Sequence, residues 1–128
     1  MTYAYWYLFL VMLLPYSFAL LAKFGHTEFN NKKPRDFLEN LEGWRKRSHW
    51  VQLNSYEMFA PFAASVIIAH LAQVPQQRID VVALVFLILR VLYGLFYIWN
   101  KSLLRSLSWF CALGCIVTLY ILASWVTA

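Results

Sequence analysis

Two ionisable residues stand inside long apolar stretches of this sequence and are the first candidates for chemistry. Glu57 lies in the stretch from 51 to 74, and Arg90 lies in the stretch from 81 to 99. An ionisable side chain at membrane depth costs several kcal/mol, so it indicates a functional site by default. A structural alternative is that Glu57 and Arg90 form a buried ion pair that locks two helices together.

Other polar residues recur at helical spacing on the same two stripes. In a helix, residues three, four and seven positions apart share one face. The charge count is uneven, because Glu57 is the one acid of these stripes and Arg90 is its candidate partner. Arg47 and Arg105 are left without an acid of their own, which favours a pocket that takes a small anionic ligand. Snorkelling of these arginines to lipid phosphate is the alternative. The residues that share the stripes are Arg47, Asn54 and Glu57 on one segment and Arg90, Tyr93 and Tyr97 on the next.

The composition requires a membrane to accommodate these stretches. The chain has 128 residues, of which 62% are hydrophobic and 13% charged, against about 45–50% and 25% in soluble domains. A soluble chain of this length could not bury so much apolar surface. We therefore predict an all-α integral membrane protein in one domain, residues 1–128, with a four-helix bundle. The predicted spans, each near the roughly 20 residues that cross hydrocarbon, are 3–22, 51–74, 81–99 and 107–126.

The basic residues predict the orientation of these spans. Seven Lys and Arg residues lie in the first connection, residues 23–50, and two in the third, against one in the second. Cytoplasmic connections carry the excess of positive charge, so the first and third are predicted to be cytoplasmic and both termini outside. This distribution accounts for the net charge of +5 without a nucleic-acid partner. Within the first connection, apolar spacing predicts a short amphipathic helix over 36–44.

The remaining residues suited to chemistry have simpler interpretations. The three histidines show no metal-ligand spacing, so no metal site is predicted. Cys111 and Cys115 are predicted to be small buried hydrophobic residues of one helix. Gly94 and Gly114 are predicted to permit close helix packing.

Three sequence patterns are together typical of one family. The loop at 29–35 reads FNNKKPR, the segment 47–57 reads RSHWVQLNSYE and continues to Pro61-Phe62, and the segment 90–97 is followed by Leu-Arg-Ser-Leu at 104–107. The second segment contains the pattern N-x-x-E…P-F. With these patterns the sequence resembles the MAPEG family, membrane-associated proteins in eicosanoid and glutathione metabolism, and in particular its bacterial branch.

The resemblance implies a fold, an assembly and a set of site residues. It implies a four-helix subunit that forms a homotrimer in the bacterial inner membrane, surrounded by lipid, with glutathione as cosubstrate between neighbouring subunits. It also implies a lipophilic small-molecule acceptor that enters from the bilayer. By position, the glutathione-binding residues are Arg47, Asn54, Glu57, Tyr93 and Tyr97, and the catalytic residues are Arg105 and Ser106.

The activity that the resemblance implies is that of a glutathione-dependent transferase or peroxidase for lipophilic electrophiles or hydroperoxides. Trp50, Met58 and Trp109 depart from the residues that several eukaryotic members have at these positions. One alternative is therefore a non-catalytic membrane protein of the same fold, whose intramembrane polar residues are structural. A small proton-coupled exporter is the other alternative, but its first span would carry a carboxylate, and residues 3–22 contain none.

Overall fold

The computed structural model describes residues 1–128 and contains five α-helices and no strand. The all-α prediction is confirmed, and each of the four apolar segments forms a helix. The third helix starts well before residue 51, so the charged residues that precede the apolar segment belong to it. The helices are α1 Tyr3–Lys23, α2 Pro34–Glu39, α3 Gly43–Leu71, α4 Gln76–Ile98 and α5 Ser102–Thr127.

Three of the five helices are long and apolar enough to cross a membrane, namely α1, α4 and α5. On α1 the exposed side chains Trp6, Phe9, Leu13 and Leu20 recur at helical spacing, which gives this helix an apolar outer stripe suited to hydrocarbon. The helix α3 has 29 residues, but its first half is polar, and α3 is not among the three apolar helices.

The amphipathic helix predicted over 36–44 is interrupted in the structure. The helix α2 ends at Glu39, and residue 44 already belongs to α3. Between them Gly43 has a φ of 63°, a conformation that glycine adopts without the steric cost of a side chain. The prediction was wrong here because periodicity of the apolar residues does not reveal a break in the backbone helix inside the pattern.

The core lies between α1, α3, α4 and α5. Its central contact is a stacked pair of rings, Phe62 of α3 and Phe86 of α4, with centroids 3.8 Å apart. Cys115 is buried in this core, as predicted, whereas Cys111 is exposed. The two cysteines are one helical turn apart, but the edge of the buried face runs between them.

A glycine sets the distance between α1 and α4. A Cβ built on Gly94 would lie 2.1 Å from Cζ of Phe18, so only a hydrogen leaves room for this ring. The close-packing prediction is confirmed for Gly94. It is wrong for Gly114 within this chain, because a Cβ at Gly114 meets nothing within 4 Å.

Replacing Gly94 with alanine should destabilise the bundle, because the Phe18 ring must leave its position or α1 must move away. Overpacking of this kind costs about 1–3 kcal/mol. Thermal unfolding in detergent, followed by circular dichroism, measures the change, and Gly114→Ala is the matched control, since its site is open. Equal midpoints for the two variants would contradict the close approach of Phe18 to Gly94.

Basic residues at the start of α3 bind the ends of other helices. Arg45 donates to the carbonyl oxygens of Ala22 and Phe24, at 2.8 and 2.7 Å, where α1 ends. Lys46 donates to the carbonyl of Glu39, where α2 ends. The last carbonyls of a helix lack partners within it and carry partial negative charge, so cations stabilise them. These bases thereby join α1 and α2 to the first turn of α3.

The opposite end of the bundle is held by a carboxylate. Oδ1 of Asp80 accepts hydrogen bonds from the backbone N–H of Ala4 and from the amide of Gln76, both at 2.8 Å. Asp80 belongs to α4 and Ala4 to the first turn of α1. An acidic group is favourable beside the free N–H groups at a helix start, so Asp80 fixes α1 against α4.

Candidate functional site

A polar pocket of about 280 Å³ lies between α3, α4 and α5. It contains five of the seven residues that the resemblance assigned to glutathione binding or catalysis. Phe110 also lines it and was not predicted, although it lies one helical turn after Ser106 and could have been found from that spacing. The lining residues are Asn54, Tyr93, Tyr97, Arg105, Ser106, Trp109 and Phe110.

A tight reversal between α4 and α5 creates this pocket. Asn100 has a φ of 60°, and the backbone N–H of Lys101 donates to the carbonyl of Phe96 at 2.8 Å. This arrangement ends a helix and turns the chain, and asparagine tolerates the left-handed conformation that it needs. Because α5 starts at Ser102, Arg105 in its first turns returns beside the last turn of α4.

The aromatic residues of α4 form one wall of the pocket. Tyr93 and Tyr97 lie one turn apart, and their rings meet edge to face with centroids 5.7 Å apart. The guanidinium of Arg105 lies over the Tyr97 ring, 4.5 Å from its centroid. Stacking on an aromatic face orients a guanidinium while leaving its N–H groups free for hydrogen bonds. The side chain of Arg105 is half-buried and its guanidinium makes no hydrogen bond within the chain, so it can receive an anion.

Behind this wall a chain of hydrogen bonds links three polar residues. Arg90 is 2% exposed and donates from Nη2 to Oδ1 of Asn54 at 2.7 Å. Asn54 in turn donates from Nδ2 to Oε2 of Glu57 at 3.2 Å. The guanidinium of Arg90 also lies 4.2 Å from the centroid of the Tyr93 ring. The hydrogen bonds to Arg90 and Glu57 therefore fix the orientation of the Asn54 amide at the pocket.

The structural alternative of a direct ion pair between Glu57 and Arg90 differs from what is observed. The amide of Asn54 stands between the two charges and bonds to both. Spacing along the helices places all three residues on facing stripes, but it does not show which side chain lies in the middle. One nitrogen of Arg90, Nη1, is buried without a hydrogen-bond partner, so the burial of this charge is only partly compensated.

Glu57 lies outside the pocket and is exposed on α3. The only hydrogen bond of its carboxylate within the chain is the one it accepts from Asn54. An exposed carboxylate of this kind needs water, protein or a ligand beside it, because lipid cannot solvate it.

Arg47 also lies outside the pocket, at the end of α4. Its Nε and Nη2 donate to the carbonyl oxygen of Ile98 at 3.2 and 2.9 Å. Ile98 is the last residue of α4, so Arg47 satisfies and neutralises the end of this helix. Arg47 thereby stabilises the turn after α4, which brings the first turns of α5 beside Tyr97.

Replacing Arg47 with methionine should loosen the end of α4, since a carbonyl loses two charge-assisted hydrogen bonds. We expect a loss of about 1.5–3 kcal/mol and faster amide hydrogen exchange over 97–101. Mass spectrometry of deuterated fragments measures the exchange. The exposed base Arg35 provides the control variant Arg35→Met. Wild-type exchange at 97–101 in Arg47→Met would contradict the capping role.

The three residues that depart from the eukaryotic pattern have different surroundings. Trp109 lines the pocket, and Trp50 lies beside Tyr97 with centroids 6.1 Å apart. Met58 is 6% exposed and belongs to the core. Two of the three departures therefore adjoin the candidate site. The chain brings no three His, Cys, Asp or Glu side chains into a metal-binding arrangement.

These features define a helical membrane protein with a polar pocket near one end of its bundle, next to a buried arginine and an exposed carboxylate. The family model described as "MAPEG family" matches residues 2–125, nearly the whole chain, and the protein belongs to the MAPEG family. The match includes α1, whereas the motifs quoted above begin after it. No curated protein and no solved structure matches the chain.

Proposed function

We propose that this protein is a glutathione-dependent membrane transferase or peroxidase acting on lipophilic electrophiles or hydroperoxides. The family includes glutathione transferases and peroxidases. The observation that supports the proposal most is the pocket in which Arg105 and Ser106 face Asn54, Tyr93 and Tyr97.

The charges around the pocket match those of glutathione, which has one ammonium, two carboxylates and a thiol. Glu57 would bind the ammonium group, and Asn54 would bind the γ-glutamyl end beside it. The hydrogen bond from Asn54 to Glu57 supports this assignment, because it orients the two side chains together. Tyr93 and Tyr97 would form the wall along the tripeptide.

Arg105 would activate the thiol. The nucleophile is the thiolate, and an adjacent cation lowers the thiol pKa from its ordinary value of about 8.5. Held over Tyr97 and free of any acidic partner, Arg105 would stabilise the thiolate after the proton leaves, and Ser106 would donate a hydrogen bond to the sulfur. The thiolate then attacks the electrophilic carbon of the acceptor, and a sulfur–carbon bond forms as the leaving group departs with its electron pair. With a hydroperoxide the sulfur attacks the terminal oxygen, the O–O bond breaks to release the alcohol, and a second glutathione thiol displaces water from the resulting sulfenic acid to give the disulfide.

The acceptor would enter from the bilayer. Phe110 lines the pocket and is 64% exposed, so one side of the pocket opens on the outer, apolar surface of α5. A lipophilic molecule dissolved in hydrocarbon could reach the sulfur there without crossing the polar wall formed by α4.

A homotrimer with sites between subunits would complete the pocket. The volume of about 280 Å³ lies just below the usual range for small-molecule sites, which starts at about 300 Å³. Glu57 lies outside this volume on an exposed face of α3. A second copy of the chain packed on that face would exclude lipid from the carboxylate and enlarge the site.

The topology that accompanies this proposal has four spans, with α3 as the second. Its residues 51–71 would extend about 30 Å at 1.5 Å per residue, which matches the hydrocarbon core. The earlier, basic turns of α3 would then lie at the surface. The excess of Lys and Arg in the first and third connections would put these turns in the cytoplasm and both termini outside, and the membrane would be a bacterial inner membrane.

Titration of the purified protein with glutathione tests the proposal, with thiolate followed by its ultraviolet absorbance. We expect a saturable absorbance increase at neutral pH, because the site binds the tripeptide and ionises its thiol. S-methylglutathione is the matched control, since it should compete for the site without producing the signal. No binding at millimolar glutathione would favour the non-catalytic alternative.

A further inference from the structure

A second groove lies far from the candidate site, between the start of α4 and the end of α5. Its volume is about 300 Å³, and its lining combines two polar residues of α4 with apolar ones: Gln77, Arg78, Val81, Val82 and Leu122. Arg78 and Tyr93 are separated by fifteen positions of α4, or roughly 22 Å along the helix. The groove therefore belongs to the other end of the bundle.

The groove is polar at one end and apolar along the rest, as a lipid is at its headgroup and its acyl chains. Both α4 and α5 are long and apolar enough to span a membrane, so the start of α4 lies at a bilayer surface. Gln77 and Arg78 are then at headgroup level, and Val81, which is 55% exposed, lies where the hydrocarbon begins. Trp125, one turn after Leu122, is 72% exposed and suits the interfacial zone that tryptophan favours.

The charge at the head of the groove is unpaired. Arg78 is exposed and makes no side-chain hydrogen bond or ion pair within the chain. The nearby carboxylate of Asp80 accepts from Ala4 and Gln76 through Oδ1 and forms no ion pair with Arg78. No side chain caps the start of α4, and the N–H groups of a first helical turn lack partners within the helix, so an anion is favoured beside Gln77 and Arg78.

We propose that this groove binds an anionic phospholipid of the leaflet that it faces. Arg78 and the first turn of α4 hold the phosphate, and one acyl chain runs past Val81, Val82 and Leu122. The inference does not depend on the proposed catalytic function.

Native mass spectrometry of the detergent-purified protein tests this inference with two probes of equal chain length, phosphatidylglycerol and phosphatidylcholine. We expect preferential retention of phosphatidylglycerol. Arg78→Gln should weaken its binding about fivefold, the effect of one cation near an anionic surface. Lys32→Gln, which removes an exposed base far from the groove, is the matched control and should bind as the wild type does.

A second variant separates the acyl chain from the phosphate. Val81→Trp fills the groove and keeps Arg78, so it should lower the retention of both lipids. Equal retention by Arg78→Gln and Lys32→Gln would overturn the proposal. Wild-type lipid retention by Val81→Trp would also overturn the proposal. Loss of a protein subunit from the measured mass of Val81→Trp would overturn it too, because a second copy of the chain would then be the molecule that covers the groove.

Discussion

Arg105→Gln should reduce the fraction of bound glutathione present as thiolate at neutral pH by about tenfold or more, because the sulfur loses the adjacent cation. The guanidinium stacked on Tyr97 at 4.5 Å is the cation of the pocket. Binding of the tripeptide should weaken much less, since Asn54, Glu57 and the tyrosines remain. Titration with glutathione at several pH values measures both quantities: the absorbance amplitude reports ionisation, and the midpoint reports binding.

The pH dependence of Arg105→Gln distinguishes electrostatic activation from a structural defect. Raising the pH towards the ordinary thiol range, about 8.5, should restore the thiolate signal in this variant. Arg105→Lys is the matched control, because it keeps the charge, and it should keep most of the signal at neutral pH. Wild-type amplitude in Arg105→Gln would remove Arg105 from the mechanism.

Arg90→Met should cause the largest loss of stability, about 3–5 kcal/mol, because one member of a buried polar chain is removed. The substitution leaves Oδ1 of Asn54 without its donor and Glu57 without a nearby compensating cation. The side chain of Arg90 is 2% exposed, so water cannot replace it. Thermal and denaturant unfolding in detergent micelles measure the change.

A double-mutant cycle tests whether Arg90 and Glu57 act through the amide between them. In Arg90→Met/Glu57→Gln no uncompensated charge remains, so this variant should recover a measurable part of the lost stability. Glu57→Gln alone keeps an oxygen that can accept from Asn54 and serves as the single-variant reference. Strictly additive effects would show that the two charges are energetically independent.

Helical spacing alone predicts part of the wall of the pocket. Tyr93 and Tyr97 share a face of α4 at i, i+4 with Arg90 one turn before them, as their spacing predicts. These predictions succeeded because a membrane forces each apolar segment into a helix, and the helical period then fixes which side chains share a face.

Other features could not be derived from spacing. Arg47 binds the carbonyl of Ile98, a backbone atom whose position depends on where α4 ends. The place of Asn54 between Arg90 and Glu57 depends on side-chain rotamers across two helices. The break before Gly43 depends on one backbone torsion. The group that packs on the exposed carboxylate of Glu57 lies outside the single chain. Neither the sequence nor the fold of one chain therefore identifies that group.

A structure of the assembled protein soaked with glutathione is the most direct measurement. We expect tripeptide density in the cleft, with its sulfur next to the guanidinium of Arg105 and its amino group against the carboxylate of Glu57. A neighbouring subunit should close the far side of the cleft. The proposed function would be contradicted if the protein's own side chains filled that space and no tripeptide bound at saturating concentration. The protein would then be a non-catalytic member of the fold.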